Sequence, residues 1–287
     1  MRLAALVALT MVAFAANSLL NRVALSGGEA TPAAFAALRV VSGAALLWIL
    51  ARRSDQGVAL LETRRALPTL SLTLYLLGFS FAYLTLDAGI GALILFGCVQ
   101  VTMFAGALLA GEQPPILRWV GMALGLAGLA WLVWPSGALQ IDLLGAGLMS
   151  LAGLGWGIYS LIGRGSKAPL SDTAASFVLS APLVLVAWVM SGEGGQMTMI
   201  GALLALVSGV VTSGMGYALW YSVLPRLDAT VAALAQLTVP VIAMVAGVVL
   251  LAEALDITTI LAAALVLGGV AIGVLGVSKR SAPTDRS

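Results

Sequence analysis

Asn17, Gln100 and Gln236 are amide side chains set deep in long apolar stretches. A hydrogen-bonding group there is costly unless it faces the protein interior. Asn21 follows Asn17 by four residues, so on a helix the two share one face. Aromatic side chains recur at similar depth: Tyr75, Phe79 and Tyr83 at four-residue intervals, Trp156 with Tyr159, and Tyr217 ahead of Trp220 and Tyr221. These residue types recognise a solute; they do not make or break its bonds. Amides orient an ammonium and a carboxylate. Rings stack on an apolar or aromatic group, or hold a cation over a π face at ~0.5–2 kcal/mol. The competing explanations are interhelical hydrogen bonding for the amides and ordinary packing for the rings. The candidate cavity-lining set is therefore Asn17, Tyr75, Phe79, Tyr83, Gln100, Trp156, Tyr159, Tyr217 and Gln236, with Tyr83 nearest the water interface. Trp48, Trp131, Trp134 and Trp188 fit an interfacial aromatic belt instead.

Arg39 lies seven residues past Pro32, ~10 Å into its stretch at 1.5 Å per residue. Its guanidinium stays charged. It either binds a solute carboxylate or serves the scaffold, and the scaffold role is the favoured one. What is missing narrows the field further. The chain has no histidine and one cysteine, Cys98, so it holds no internal disulfide and no Cys/His metal set. No paired carboxylates fall within a stretch, and no nucleotide-binding glycine loop has the context it needs. No metal or cofactor is expected, and an integral-membrane enzyme lacks its reacting groups. No Asp or Glu stands near the middle of a stretch, so carboxylate-based proton coupling is not expected either.

The elements that position these groups are ten apolar runs. They are read as Leu3–Val23, Pro32–Ala51, Leu67–Leu86, Ala88–Leu109, Ile116–Trp134, Leu143–Gly163, Thr173–Met190, Ile200–Leu224, Thr230–Leu251 and Ile257–Val277. About 20 apolar residues cross a ~30 Å hydrocarbon core as a helix. With 61% hydrophobic and 9% charged residues, the chain is no water-soluble globule. The expected fold is an all-α polytopic membrane protein with ten transmembrane helices. The first run is longer than the apolar part of a signal peptide and is kept as a helix. With the N-terminus cytoplasmic, all Lys and Arg except Arg22 and Arg39 fall on the inner side, which puts both termini in the cytoplasm of a bacterial-type inner membrane. The net charge of +2 needs no nucleic acid to explain it.

The chain is also built twice. Shifted by 141 residues, Leu86–Val133 gives 17 identities in 48 positions without a gap, including Asp87 on Asp228 and Glu112 on Glu253. Near the start of each half, Phe14, Ser18, Leu19 and Arg22 match Trp156, Ser160, Leu161 and Arg164 at a shift of 142. Five spans is an odd number, so the second half enters the membrane from the opposite side. The expected organisation is two inverted five-helix repeats, residues 1–136 and 137–287, with a solute site near the midplane between them. Pro240 in the ninth run predicts a kink there, while Val99 stands opposite it in the fourth. Glu112 and Glu253, at span ends, are read as partners of free N–H groups at helix starts. Gly121 and Gly125 form a G-x-x-x-G pair suited to close helix contact.

The 5+5 layout, Ala37-Leu38-Arg39, the Gly111-Glu112 and Ala252-Glu253 span ends and the Gly121–Gly128 segment make the chain resemble the EamA branch of the drug/metabolite transporter superfamily. Within it, overall similarity is greatest to the YddG-type aromatic amino acid exporters. The resemblance implies a transporter that moves small amino acids out of the cytoplasm by alternating access, aromatic and bulky apolar ones preferred. Export of drugs or other small metabolites is the alternative it leaves open. The implied partners are an amino-acid solute and membrane lipid, with a monomer or a homodimer both compatible.

Overall fold

The computed structural model describes residues 2–54, 57–58, 60, 62–111, 113–133, 141–227 and 235–278. Helical segments succeed one another along them: α1 (Arg2–Ser26), α2 (Pro32–Arg53), α3 (Ala66–Ala82), α4 (Ala88–Leu109), α5 (Ile116–Val133), α6 (Leu143–Gly163), α7 (Pro169–Ser191), α8 (Met199–Val223), α9 (Thr238–Leu251) and α10 (Ile257–Ser278). Among the described residues the only extended pairing is an isolated bridge between Ala30 and Met197. Six helices, α1, α2, α4, α6, α7 and α8, are long and apolar enough to cross a membrane, and shorter apolar helices accompany them. Large apolar side chains such as Leu109, Val189 and Met190 point outward, as a surface solvated by lipid requires. The protein is an all-helical, multi-pass membrane protein.

Local sequence explains where the helices begin and end. Pro32 and Pro169 open α2 and α7 at the first turn, where a missing N–H costs nothing. Asp142 and Thr198 cap α6 and α8 by accepting the N–H groups of Gly145 and Gly201. Gly111 after α4 and Ala252 after α9 are both left-handed, at φ +79° and +54°. These two positions correspond at the 141-residue shift, so the same cap geometry recurs even where alanine replaces the glycine that tolerates it. The ninth run is interrupted close to the expected Pro240 kink. A turn at Leu237 precedes α9, and the run's first residues, 230–234, lie outside the described set. The cause is Pro240, which cannot donate to the carbonyl of Gln236 four residues back and crowds it sterically. The hydroxyl of Thr238 compensates one residue away by donating to the Ala235 carbonyl at 2.6 Å.

Helices from the first half lie antiparallel against helices from the second. The Thr31 N–H at the start of α2 donates to Gln196 beyond the end of α7, while Ser171 near the start of α7 donates to the Gly57 carbonyl beyond the end of α2. Ala88, the first residue of α4, donates to the Glu253 carboxylate just past α9 at 2.7 Å. In α5 and α10, Gly121 faces Gly269 and Gly273, and Gly128 faces Ala262. Antiparallel contact also joins α1 to α8 and α3 to α6, the latter through Gly78 against Leu148 and Gly155 against Ser71.

At the α5/α10 seam only one glycine of the G-x-x-x-G pair leaves no room for a β-carbon of its own. A β-carbon on Gly121 would sit 2.2 Å from the Gly269 carbonyl oxygen, whereas one on Gly125 meets nothing within 4 Å. Gly121→Ala is therefore expected to destabilise by about 1–3 kcal/mol through overpacking. Gly125→Ala is expected to be neutral or slightly stabilising, because alanine is the better helix former. Thermal unfolding of both variants in detergent checks this; equal melting temperatures would show that the seam yields freely.

Candidate functional site

Where α1, α3, α6 and α8 converge, side chains from both halves enclose a cavity. Phe14, Asn17 and Ser18 come from α1, Tyr75 and Phe79 from α3, Leu95 and Phe96 from α4, Trp156 from α6, and Thr212 and Tyr217 from α8. Counting every gap between these side chains gives ≈350 Å³, yet the contiguous part admits a water-sized body and little more. A larger solute must push rings aside. The walls are mostly aromatic: Phe14 packs edge-on to Tyr217 (centroids 5.8 Å), and Trp156 tilts against Tyr75 (5.1 Å) and Tyr217 (4.9 Å).

The polar lining is organised by Asn17. Its Oδ1 accepts from Ser208 Oγ at 2.6 Å and Thr212 Oγ1 at 3.0 Å, and its Nδ2 donates to Tyr75 Oη at 3.4 Å. Ser208 and Thr212, four residues apart, share the face of α8 turned to Asn17, at the start of a π-helical stretch over Ser208–Met215. Such widened turns recur at functional sites in helices. The same Tyr75 hydroxyl accepts a second bond, from Arg39 Nη2 at 3.0 Å. Asn21 serves the scaffold. Its Nδ2 donates to the Asn17 carbonyl, and its Oδ1 accepts from Ser80.

A second chamber, about 640 Å³ including its mouth, lies toward the end of the molecule that carries Arg64 and Arg65. Tyr159, Tyr221, Thr173 and Ser176 line its inner part. Asp172 pairs there with Arg65 and accepts from Ser166. The ring of Tyr159 stacks on Trp156 at 5.7 Å, so one aromatic layer stands between this chamber and the central cavity. At the opposite end Arg22 pairs with Asp87 at 2.7 Å and approaches Glu253 to 3.6 Å, tying α1 to the start of α4 and the end of α9. Burial pushes the Glu253 carboxyl above the usual carboxylate range, and the Ala88 N–H draws it back down. The expected role of Glu253 at a helix start is met here; Glu112 lies outside the described residues.

The structure thus brings Asn17, Tyr75, Phe79, Trp156 and Tyr217 to one cavity and sets Tyr159 at the adjoining chamber. Three candidates line neither. Gln100 is half-buried on α4, and Gln236 is half-buried in the turn that Pro240 interrupts. Tyr83, at the end of α3, is wholly buried: it caps the helix, contacts Phe79 edge-on at 4.8 Å, and donates from its hydroxyl to the Ala88 carbonyl. Helical spacing put Tyr83 on the face of Tyr75 and Phe79, but the chain turns there and carries it under α4. Phe14, Ser18 and Thr212 were missing from the candidate set. A signal for the first was present, because Phe14 is the repeat partner of Trp156. The same 142-residue shift lays Ser71, Tyr75, Leu77, Phe79 and Ser80 on Ser213, Tyr217, Leu219, Tyr221 and Ser222. The contacts Phe14–Tyr217 and Trp156–Tyr75 are therefore one contact made twice, with the halves exchanged.

A family model described as the EamA-like transporter family matches residues 143–275. An uncharacterized protein of Pseudomonas aeruginosa is 44% identical over 271 residues, covering 93% of this chain and 92% of its own. An uncharacterized transporter of Archaeoglobus fulgidus is 26% identical over 92% of this chain and 94% of its own. A Salmonella typhimurium protein named "Probable amino-acid metabolite efflux pump" is 28% identical over 67% of this chain and 69% of its own. One crystal structure superposes with a TM-score of 0.70 at 19% identity, covering 97% of this chain and 98% of that one, a likeness of fold.

Asn17→Leu should cost about 1–3 kcal/mol, since it strips a buried hydroxyl, Ser208, of the acceptor it uses. Adding Ser208→Ala should recover part of that loss, because no polar atom is then left unpaired. Denaturant unfolding in detergent measures both; a double variant no more stable than the single would contradict the hydrogen-bond account.

Proposed function

Because this chain belongs to the EamA-like transporter family, we propose that it exports small amino acids from the cytoplasm, aromatic and bulky apolar ones preferred, in the manner of the YddG-type exporters it resembles. Membrane transport of small metabolites is the family's business; the solute class is our reading. One observation carries it: the cavity at the junction of both halves pairs aromatic walls with a hydrogen-bonding asparagine. A side-chain ring finds Phe14, Tyr75, Phe79, Trp156 and Tyr217, while the polar end of an amino acid finds Asn17 and the hydroxyls beside it.

We further propose that residues 1–136 and 137–287 are the two inverted repeats of an alternating-access carrier with ten spans and cytoplasmic termini. Supporting this, α2 with α7, α4 with α9, and α5 with α10 are pairs of corresponding helices, and each pair is antiparallel. A sequence inserted upside down produces that arrangement, and it allows inward- and outward-facing shapes of similar energy. The positive-inside rule makes the Arg64/Arg65 end cytoplasmic. The second chamber is then the entrance, and the Trp156–Tyr159 stack is the layer a solute displaces on its way in. The Arg22–Asp87–Glu253 cluster holds the outer end together in this conformation.

Protein reconstituted in liposomes is expected to show counterflow of labelled phenylalanine, with Trp156→Ala lowering its initial rate at least ten-fold and that of alanine less. A ring-on-ring contact with the solute is worth ~0.5–1.5 kcal/mol beyond the area it buries, and the alanine solute has no ring to make one. Flux of a panel of drugs without flux of any amino acid would select the alternative solute class.

A further inference from the structure

Arg39 is wholly buried, the largest side chain in the molecule to be so among the described residues. Its Nε donates to Ser213 Oγ and its Nη2 to Tyr75 Oη, both at 3.0 Å. The remaining nitrogen, Nη1, has no hydrogen-bond partner, and no carboxylate of the described residues lies within ion-pair distance. Rings of Tyr75 and Phe79 lie 5.3 and 5.1 Å from the guanidinium carbon. Both bonded partners are neutral hydroxyls, so the positive charge is solvated in part and nowhere neutralised. An isolated ion inside a protein carries a large desolvation penalty, and attraction to two aromatic faces offsets only part of it. The guanidinium cannot escape by losing its proton. This is a fork with one tine empty.

Position ties the empty tine to the cavity. Tyr75, whose hydroxyl Arg39 holds, lines the cavity, and that hydroxyl also receives Asn17. The Tyr217 hydroxyl, on another wall of the cavity, is likewise buried without a partner. A scaffold role sits poorly with the repeat. The rings around the cavity recur in both halves, whereas Ser180 and Ala181 stand where the second half would carry a counterpart of Arg39. The second half is built without a charge at that place.

We propose that Arg39 receives the carboxylate of the transported solute, and that this site accordingly takes anions and zwitterions and rejects solutes that are only cationic. The carboxylate displaces the Tyr75 hydroxyl from Nη2 and bridges to Nη1, the planar two-point contact that guanidinium makes with carboxylate. The hydroxyl of Tyr75 thus stands in for a carboxylate oxygen when no solute is present. This inference rests on the amino-acid reading and sharpens it, because it disfavours cationic drugs by like-charge repulsion.

Three probes that share a phenyl ring separate the possibilities: phenylalanine, 3-phenylpropionate, which keeps the carboxylate and lacks the amine, and phenethylamine, which is the reverse. Ligand-induced shifts in thermal unfolding of the purified protein give their affinities. The wild type should bind phenylalanine and phenylpropionate at least ten-fold more tightly than phenethylamine. In Arg39→Met the first two should weaken at least ten-fold while phenethylamine binds no worse, and Arg39→Lys should fall between. If Arg39→Met does not fold, the wild-type ranking and Arg39→Lys still decide. A wild type that binds phenethylamine as well as phenylpropionate, a variant that loses all probes alike, or one that loses none, overturns the role of Arg39. Should the wild type bind no probe and show no amino-acid counterflow, the amino-acid reading falls and this inference with it.

Discussion

A polar group inside hydrocarbon has no water to turn to, so it must be answered by the protein or by a passenger. That constraint arranges the centre of this molecule. Asn17 is answered by Ser208, Thr212 and Tyr75, drawn from α8 and α3. Arg39 is answered incompletely, by two hydroxyls and two ring faces. The helices around them are thereby tied together by hydrogen bonds. Close glycine contacts dominate elsewhere: Gly121 with Gly269, Gly209 against Arg39 and Ser42, and Gly153 against Cys98.

In the alternating-access reading proposed above, the pairing of corresponding antiparallel helices gives this arrangement a direction of change. When the same residues occur twice in opposed orientations, a contact that closes one end has a counterpart able to close the other. The duplicated pairs Phe14–Tyr217 and Trp156–Tyr75 place the axis of this exchange through the cavity itself. Against that near-symmetry Arg39 stands alone. Walls can be symmetric because rings are indifferent to which end of a solute they meet; under the proposed amino-acid reading, a single cation would give the solute's charged end one orientation.

Much of the fold was legible beforehand. Runs such as Pro32–Ala51 and Leu143–Gly163 coincide with α2 and α6 to within two residues, since length and apolarity in a bilayer leave a chain almost no option but helix. The ninth run was less legible. Pro240 was visible as a kink, but whether a proline bends a helix or interrupts it depends on the hydrogen bonds around it, here including the Thr238 hydroxyl on the Ala235 carbonyl. Of the candidate lining, Asn17, Tyr75, Phe79, Trp156 and Tyr217 meet at one cavity, while Gln100 and Gln236 do not line it. Depth in a span is readable from the chain, but azimuth around the helix is not, because in a buried bundle every face is apolar.

The amino-acid sequence by itself determined that this protein is helical, lives in a membrane, is built from a repeated pattern, and carries no histidine chemistry; each follows from composition and one-dimensional spacing. Only the tertiary structure decided which rings meet across the two halves, that Tyr83 is packed away under α4, and that one nitrogen of Arg39 is left without a partner. Those facts depend on helix rotation and on approach distances of a few ångströms, set by side chains from distant parts of the chain and so written in no single stretch of it.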